Sequence, residues 1–268
     1  MSANNAHIKR LLATKQCQGG DLRDAHLTRL NLSGADLSGA KLMFANLNGT
    51  NLSNANLSGA ELSFANFVAA DLISSDLSGV DAKGVNFLDA KLNHAQLGGA
   101  DLVFANLVNT NLEEANLSGA SLEGANLIGA NLNNTQMNGI NLSGANLGHA
   151  QIRSANLSNA DLSNARLVEA DLSDANLSGV NLRNANLLNA NLNGANLTGA
   201  DLTGANLAQA KLDGAIGLYQ DNLVGMRPPD RPPASHNHPN MSYVSVLQTN
   251  SLHSSSNHLG LPRPGLPS

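Results

Sequence analysis

Tryptophan is absent from this 268-residue chain, and only two Tyr and five Phe accompany its leucines and alanines. An ordinary globular core draws on aromatic bulk. An apolar fraction of 42% made almost wholly of Leu and Ala points to a repeat instead. Cysteine occurs once, at Cys17, which excludes an intrachain disulfide and a CxxC metal site. A lone catalytic thiol would need a supporting His and Asn constellation, and the sequence offers none. Charge is scarce as well: 13% of residues are charged, the net is −5, and the 15 Lys and Arg are scattered. That argues against a basic patch for direct nucleic-acid binding. No stretch approaches the ~20 apolar residues of a membrane-spanning helix, so no membrane insertion is expected. The opening MSANNAHIKRLLATKQ lacks the long apolar core and small-residue cleavage site of a secretory signal, and a cytoplasmic location is expected.

What is present is a period of five. Leucine falls at 102, 107, 112 and 117, and the phase runs unbroken through thirty-nine centres from Leu22 to Leu212. Thirty-four centres are Leu; the exceptions are Phe67, Ala82, Phe87, Met137 and Ile152. At ~100° per residue a helix would scatter residues five apart around its axis. A continuous strand would alternate their faces. Within one unit, however, Ala105 and Leu107 point the same way in an extended chain, and the next inward residue, Thr110, lies three further on. The chain must turn in that step. A short extended piece, then a turn, with an inward pair on each side, describes a coil. The residue before each centre and the two after it face outward. Gly recurs at 39, 59, 79, 99, 119, 139, 179 and 199, with Asn159 in the gap, as one corner of a twenty-residue coil would require.

Units such as AKLMF, ANLSG, ADLSN and ANLTG resemble the pentapeptide-repeat family, whose units read A(D/N)Lxx. The resemblance covers about residues 20–215. It implies an all-β fold, a right-handed quadrilateral parallel β-helix with four units per coil. About ten coils spaced ~4.8 Å apart would make a rod roughly 45–50 Å long. Phe67 and Phe87, twenty residues apart, are expected to stack inside it, and Val80, Val85 and Phe87 to compensate the small centre Ala82.

An open stack needs capped ends. HIKRLLAT (7–14) reads as a helical cap with Ile8, Leu11 and Leu12 on one face, giving an N-terminal cap over 1–19 and the β-helix over 20–217. The lead-in IKRLLATKQCQGGDL also resembles that of many cyanobacterial pentapeptide proteins, where CxxCDL is common; Gly20 here replaces the second Cys. Residues 218–268 read as a C-terminal cap, GLYQDNLVG, followed by a disordered Pro/Ser/His-rich tail. The tail's one apolar cluster is YVSVL (243–247).

With the sides numbered by their centres, side 1 holds Leu22, Leu42 and Leu62, and side 2 holds Leu27, Leu47 and Phe67. Directly after the side 2 centres stand Val68, Leu88, Val108, Ile128, Val168 and Leu188, where most outward slots carry Ser, Thr, Asn or charge. Phe44, Phe64 and Phe104 form a second column at the corner leading into side 2, and an Asn ladder runs between. An organised apolar stripe calls for cover. A protein partner, a second copy in a homodimer, or the tail through YVSVL could supply it. The competing reading is coil-to-coil stabilisation alone. Side 1 carries acid at Asp21, Glu61, Asp81, Asp101, Asp161 and Asp201. The resemblance implies an alternative there, because some pentapeptide proteins mimic DNA and bind gyrase; the modest acidity and Pro-rich end of this chain depart from that pattern. No catalytic triad, phosphate loop or metal spacing occurs in the repeat, and Asp71 and Asp76 would hold a cation only weakly on a convex surface. The expectation is a non-enzymatic interaction scaffold without cofactor or metal.

Overall fold

Backbone hydrogen-bond accounting explains the five-residue unit. In the computed structural model, which describes residues 4–218, the unit Ala115–Gly119 is representative. Ala115 N–H donates to the Leu112 carbonyl at 3.0 Å, closing the preceding turn. Asn116 N–H donates to Ala95 in the previous coil, while Leu117 and Gly119 donate to Gln136 and Asn138 in the next. Only the Ser118 N–H finds no backbone partner. The Asn116 side chain supplies one, its Oδ1 accepting at 3.1 Å. An Asn or Asp before the centre thus meets an otherwise unpaired donor, the physical reason for the A(D/N)Lxx pattern. The same bond recurs at Ser53 on Asn51, Ser78 on Asp76 and Thr203 on Asp201.

These bonds stack the chain as a β-solenoid. Parallel bridges link each residue before a centre to the one twenty positions on, from Gln16↔Asp36 to Asn196↔Ile216. Each extended piece is a single bridge residue followed by a turn. The pairing begins at Gln16, and Cys17, fully buried, occupies the centre position one unit ahead of Leu22.

The inward pair is as the period predicts. Centres and the residues two before them are buried, save the half-buried Leu30, Leu207 and Ala210, while the three other positions stay half-buried or exposed, save the buried Gly148. Phe67 and Phe87 pack at 5.1 Å between ring centroids, and Val80, Ala82 and Val85 are buried beside them. Thr50 and Thr110 replace Ala in the core, and their hydroxyls donate to the carbonyls of Leu27 and Phe87.

The corners extend one expectation. The Gly column marks one corner, and left-handed backbone occurs at the end of units on all four, with φ of +60° at Phe44, +57° at Arg29, +57° at Ser74 and +56° at Asn159. The turn geometry is common to the whole coil, and glycine is only its least strained occupant.

Helix α1 (Asn5–Thr14) covers the first coil. Asn4 caps its start by accepting from Ala6 N–H, and Lys15 ends it at φ +57°. Leu11 is wholly buried and Ile8 packs on the core, but Leu12 is 53% exposed and does not join them. The helix also answers the open β edge. Asn4 N–H donates to the Asp21 carbonyl, Asp21 N–H donates to His7 Nδ1 at 2.8 Å, and Lys15 Nζ donates to the Ser33 carbonyl. An imidazole lone pair here stands where the carbonyl of a preceding coil would. The tail readings for 219–268 lie outside the described residues.

Candidate protein-interaction surface

Turn geometry places the phenylalanines. Phe44, Phe64 and Phe104 each end a side 1 unit in left-handed backbone, with φ of +60°, +59° and +56°. A side chain there projects from the corner, and the three are 60%, 59% and 69% exposed. Each ring leans toward the following coil. Phe44 stacks on Phe64 at 5.4 Å with planes 9° apart. Phe64 lies over Gly84, where an added Cβ would stand 2.7 Å from the ring, and Phe104 lies over Gly124, where it would stand 2.5 Å away. Those two glycines, which look like gaps in the column, are the seats of the rings. The signal was present as Phe and Gly twenty residues apart, but the direction of lean was not.

The aliphatic column is less exposed than its outward position suggests. Val68, Leu88, Val108, Ile128, Val168 and Leu188 are all half-buried, each shielded by the stack. Ile128 also reaches across Gly148, the interruption in the ladder. Between this column and the phenylalanines, Asn66, Asn86, Asn106 and Asn126 accept from the N–H groups of Val68, Leu88, Val108 and Ile128. Asn106 Nδ2 also donates to Asn86 Oδ1 at 2.9 Å. The Asn ladder is therefore committed to the fold, and the Phe corner carries the exposed apolar surface of this face.

Side 1 is acidic in composition but interleaved with base. Arg23 grips Asp21 through Nε and Nη2 at 2.8 and 2.6 Å, and that hydrogen bond, with the Arg23 charge, holds the carboxyl far below its usual range. Lys83 bridges two coils, at 3.2 Å from Asp81 and 2.7 Å from Asp101, which raises its own pKa. Burial pushes Asp81 up, but hydrogen bonds from Ser63 and Lys83 outweigh it and leave the pKa lowered. Asp201 is lowered first by Thr203 and also by Arg183, 3.1 Å away. Asp161 accepts from Asn181, and Glu61 stands half-buried between Lys41 and Asp81 in the bridge ladder. Sequence reading singled out the acids and passed over Lys83 and Arg183, whose pairing is across coils. Among the described residues no group of three or more His, Cys, Asp or Glu is placed to hold a metal ion. No described helix is long and apolar enough to cross a membrane.

The family model for pentapeptide repeats matches, in eight copies, residues 16–43, 35–72, 65–102, 105–144, 145–184 and 181–216. The chain belongs to the pentapeptide-repeat family. Among solved pentapeptide-repeat structures, it is 35% identical to HetL of the cyanobacterium Nostoc sp. strain PCC 7120, which is involved in heterocyst differentiation regulation. That match covers 81% of this chain and 97% of HetL, with a TM-score of 0.43. QnrB1, a plasmid-mediated fluoroquinolone resistance protein, is 24% identical over 70% of this chain and 89% of its own, with a TM-score of 0.44. No curated protein matches the chain.

Proposed function

We propose that this pentapeptide-repeat protein is a non-enzymatic scaffold, a right-handed four-sided rod of about ten coils. It binds a protein partner, or a second copy of itself, through the corner formed by Phe44, Phe64 and Phe104 and the flanking aliphatic ladder. One observation carries the reading: three large rings sit more than half exposed in backbone that disfavours any Cβ. The left-handed region costs a non-glycine residue roughly 1–2 kcal/mol. Glycine occupies the equivalent corner at Gly84, Gly124 and Gly144 without harm to the stack. Phenylalanine there costs fold stability and adds exposed apolar surface, which fits a binding role.

The test is the triple substitution Phe44→Gly, Phe64→Gly and Phe104→Gly. The variant is expected to unfold at no lower denaturant than the parent, yet to lose self-association by light scattering or the retention of a co-purifying protein. Equal mass and equal retention in parent and variant would reject the corner as a contact surface.

The alternative is a DNA-mimicking regulator of a topoisomerase such as gyrase. It needs a continuous field of unpaired acid. Arg23, Lys83 and Arg183 interrupt that field on side 1. A supercoiling assay separates the two readings: inhibition that disappears in Asp81→Asn, Asp101→Asn, Asp161→Asn would favour the alternative.

A further inference from the structure

The chain contains three Asn-Gly pairs: Asn48 with Gly49, Asn138 with Gly139, and Asn193 with Gly194. Glycine has no side chain to shield its own backbone nitrogen, so Asn before Gly is the pair most prone to succinimide closure. All three occupy the same place in the repeat. Each Gly ends its unit in left-handed backbone, with φ of +63°, +65° and +70°, and the next N–H donates to the carbonyl of the unit's centre. Local geometry therefore does not rank them, and the neighbouring coil does.

In each pair the attacking nitrogen is held. Gly49 N–H donates to the Val68 carbonyl and Gly139 N–H to the Ser158 carbonyl, both at 2.9 Å; Gly194 N–H donates to the Asp213 carbonyl at 2.8 Å. The first two acceptors are pinned in turn. Beside Val68, Phe67 and Ala69 donate to Asn86 and Leu88 in a further coil, and beside Ser158, Leu157 and Asn159 donate to Asn176 and Ser178. Asp213 differs. Among the described residues no coil lies beyond it, and the N–H groups of its neighbours Leu212 and Gly214 find no hydrogen-bond partner there. Core burial thins in the same coil, with Leu207 and Ala210 half-buried and Ile216 56% exposed. Asp213 also holds the other reacting group, its N–H donating to Asn193 Oδ1 at 2.8 Å. One residue thus restrains both the attacking nitrogen and the amide it would attack, and its departure frees both together. Terminal units of a stack open more readily than central ones.

We propose that Asn193 is a self-modification site gated by Asp213, converted when the last coil lifts away. The Gly194 nitrogen gives up its proton and attacks Asn193 Cγ. The side-chain nitrogen takes up that proton and leaves as ammonia. Water then opens the cyclic imide at either carbonyl, giving aspartate or isoaspartate. Either product weakens the coil that released it. Aspartate sets a second carboxylate against Asp213, and like charges facing each other destabilise a sheet. Isoaspartate adds a methylene to the backbone of a five-residue unit, which then no longer matches the units stacked on it. A transient opening becomes a permanent one.

Exposure alone gives a different order, because Asn138 is exposed and Asn193 is half-buried. Incubation of the folded full chain at mildly alkaline pH, with peptide mapping by mass spectrometry and isoaspartate scored separately, distinguishes the two. Asn193 is expected to convert about tenfold faster than Asn138 or Asn48. In denaturant all three should convert at nearly the same rate, since each precedes Gly. Leu212→Ala, which loosens the unit that carries Asp213, should speed Asn193 several-fold, while unchanged rates at Asn48 and Asn138 in the same sample show that the rest of the stack is folded. Conversion of Asn138 first in the folded chain would overturn the proposal. So would three equal rates in the folded chain, or a rate at Asn193 that Leu212→Ala leaves unchanged.

Discussion

Asn106 shows how much one side chain does in this fold. Its Oδ1 takes the Val108 N–H, and its Nδ2 reaches Asn86 in the preceding coil. Replacing it by Ala leaves a half-buried donor without its acceptor, and an unmet donor costs about 1–3 kcal/mol when buried. Asn106→Ala is expected to lower unfolding free energy by about 1 kcal/mol in chemical denaturation, with Asn106→Asp losing less because the acceptor remains. The glycine seats give a second residue-scale outcome. Gly84→Ala places a methyl group against the Phe64 ring in left-handed backbone. The variant should destabilise by roughly 1–2 kcal/mol, and Phe64→Gly in the same chain should recover part of that loss. Full additivity of the two changes would show that the ring does not rest on Gly84.

At the scale of elements, α1 acts through a single anchor and several edge hydrogen bonds. Leu11 is its one fully buried side chain. Leu11→Ala is expected to cost about 2–5 kcal/mol, measured by denaturation, whereas Leu12→Ala should cost well under 1. The first coil also has a clear pH signature. The Asp21 carboxyl is lowered in the folded state, so this contribution to stability is present above the unfolded carboxylate pKa and is lost as pH falls through the lower folded one. By carboxyl NMR, Asp21 should remain ionised at pH 3 in the parent chain and titrate near the ordinary aspartate value in Arg23→Gln. Asp81, Asp171 and Asp201 are also lowered, so acid weakens the stack at several coils rather than at one switch.

For the molecule as a whole, stability is a sum over neighbours. Among the described residues, the backbone of each coil bonds to the coil before and the coil after, and no bridge or backbone hydrogen bond joins distant coils. Damage should therefore depend on position. Leu132 is fully buried in the middle of the stack, while Leu207 in the last coil is half-buried. Leu132→Ala is expected to cost about 2–5 kcal/mol and Leu207→Ala about 1–2, read from denaturation curves. Equal losses at the two sites would mean that the last coil is as well covered as the middle.

Much of this was legible without coordinates, because a five-residue period leaves the backbone few choices. The inward pair follows from spacing alone, since every unit repeats the same local geometry; the twenty-residue coil, and with it the Phe67–Phe87 stack, follows from the family resemblance together with the Gly column of period twenty. Even the Phe corner and the aliphatic column could be placed by counting. What the residues could not give was how far each outward side chain is covered, because cover comes from the coil above or below. That decided the half-burial of Leu88 and Val108, the seating of Phe104 on Gly124, and the reach of Lys83 from Asp81 to Asp101. It also decided the role of the Asn ladder. The composition of a column is written in the sequence; the partner of each donor, and the direction each ring leans, exist only once one coil lies on the next.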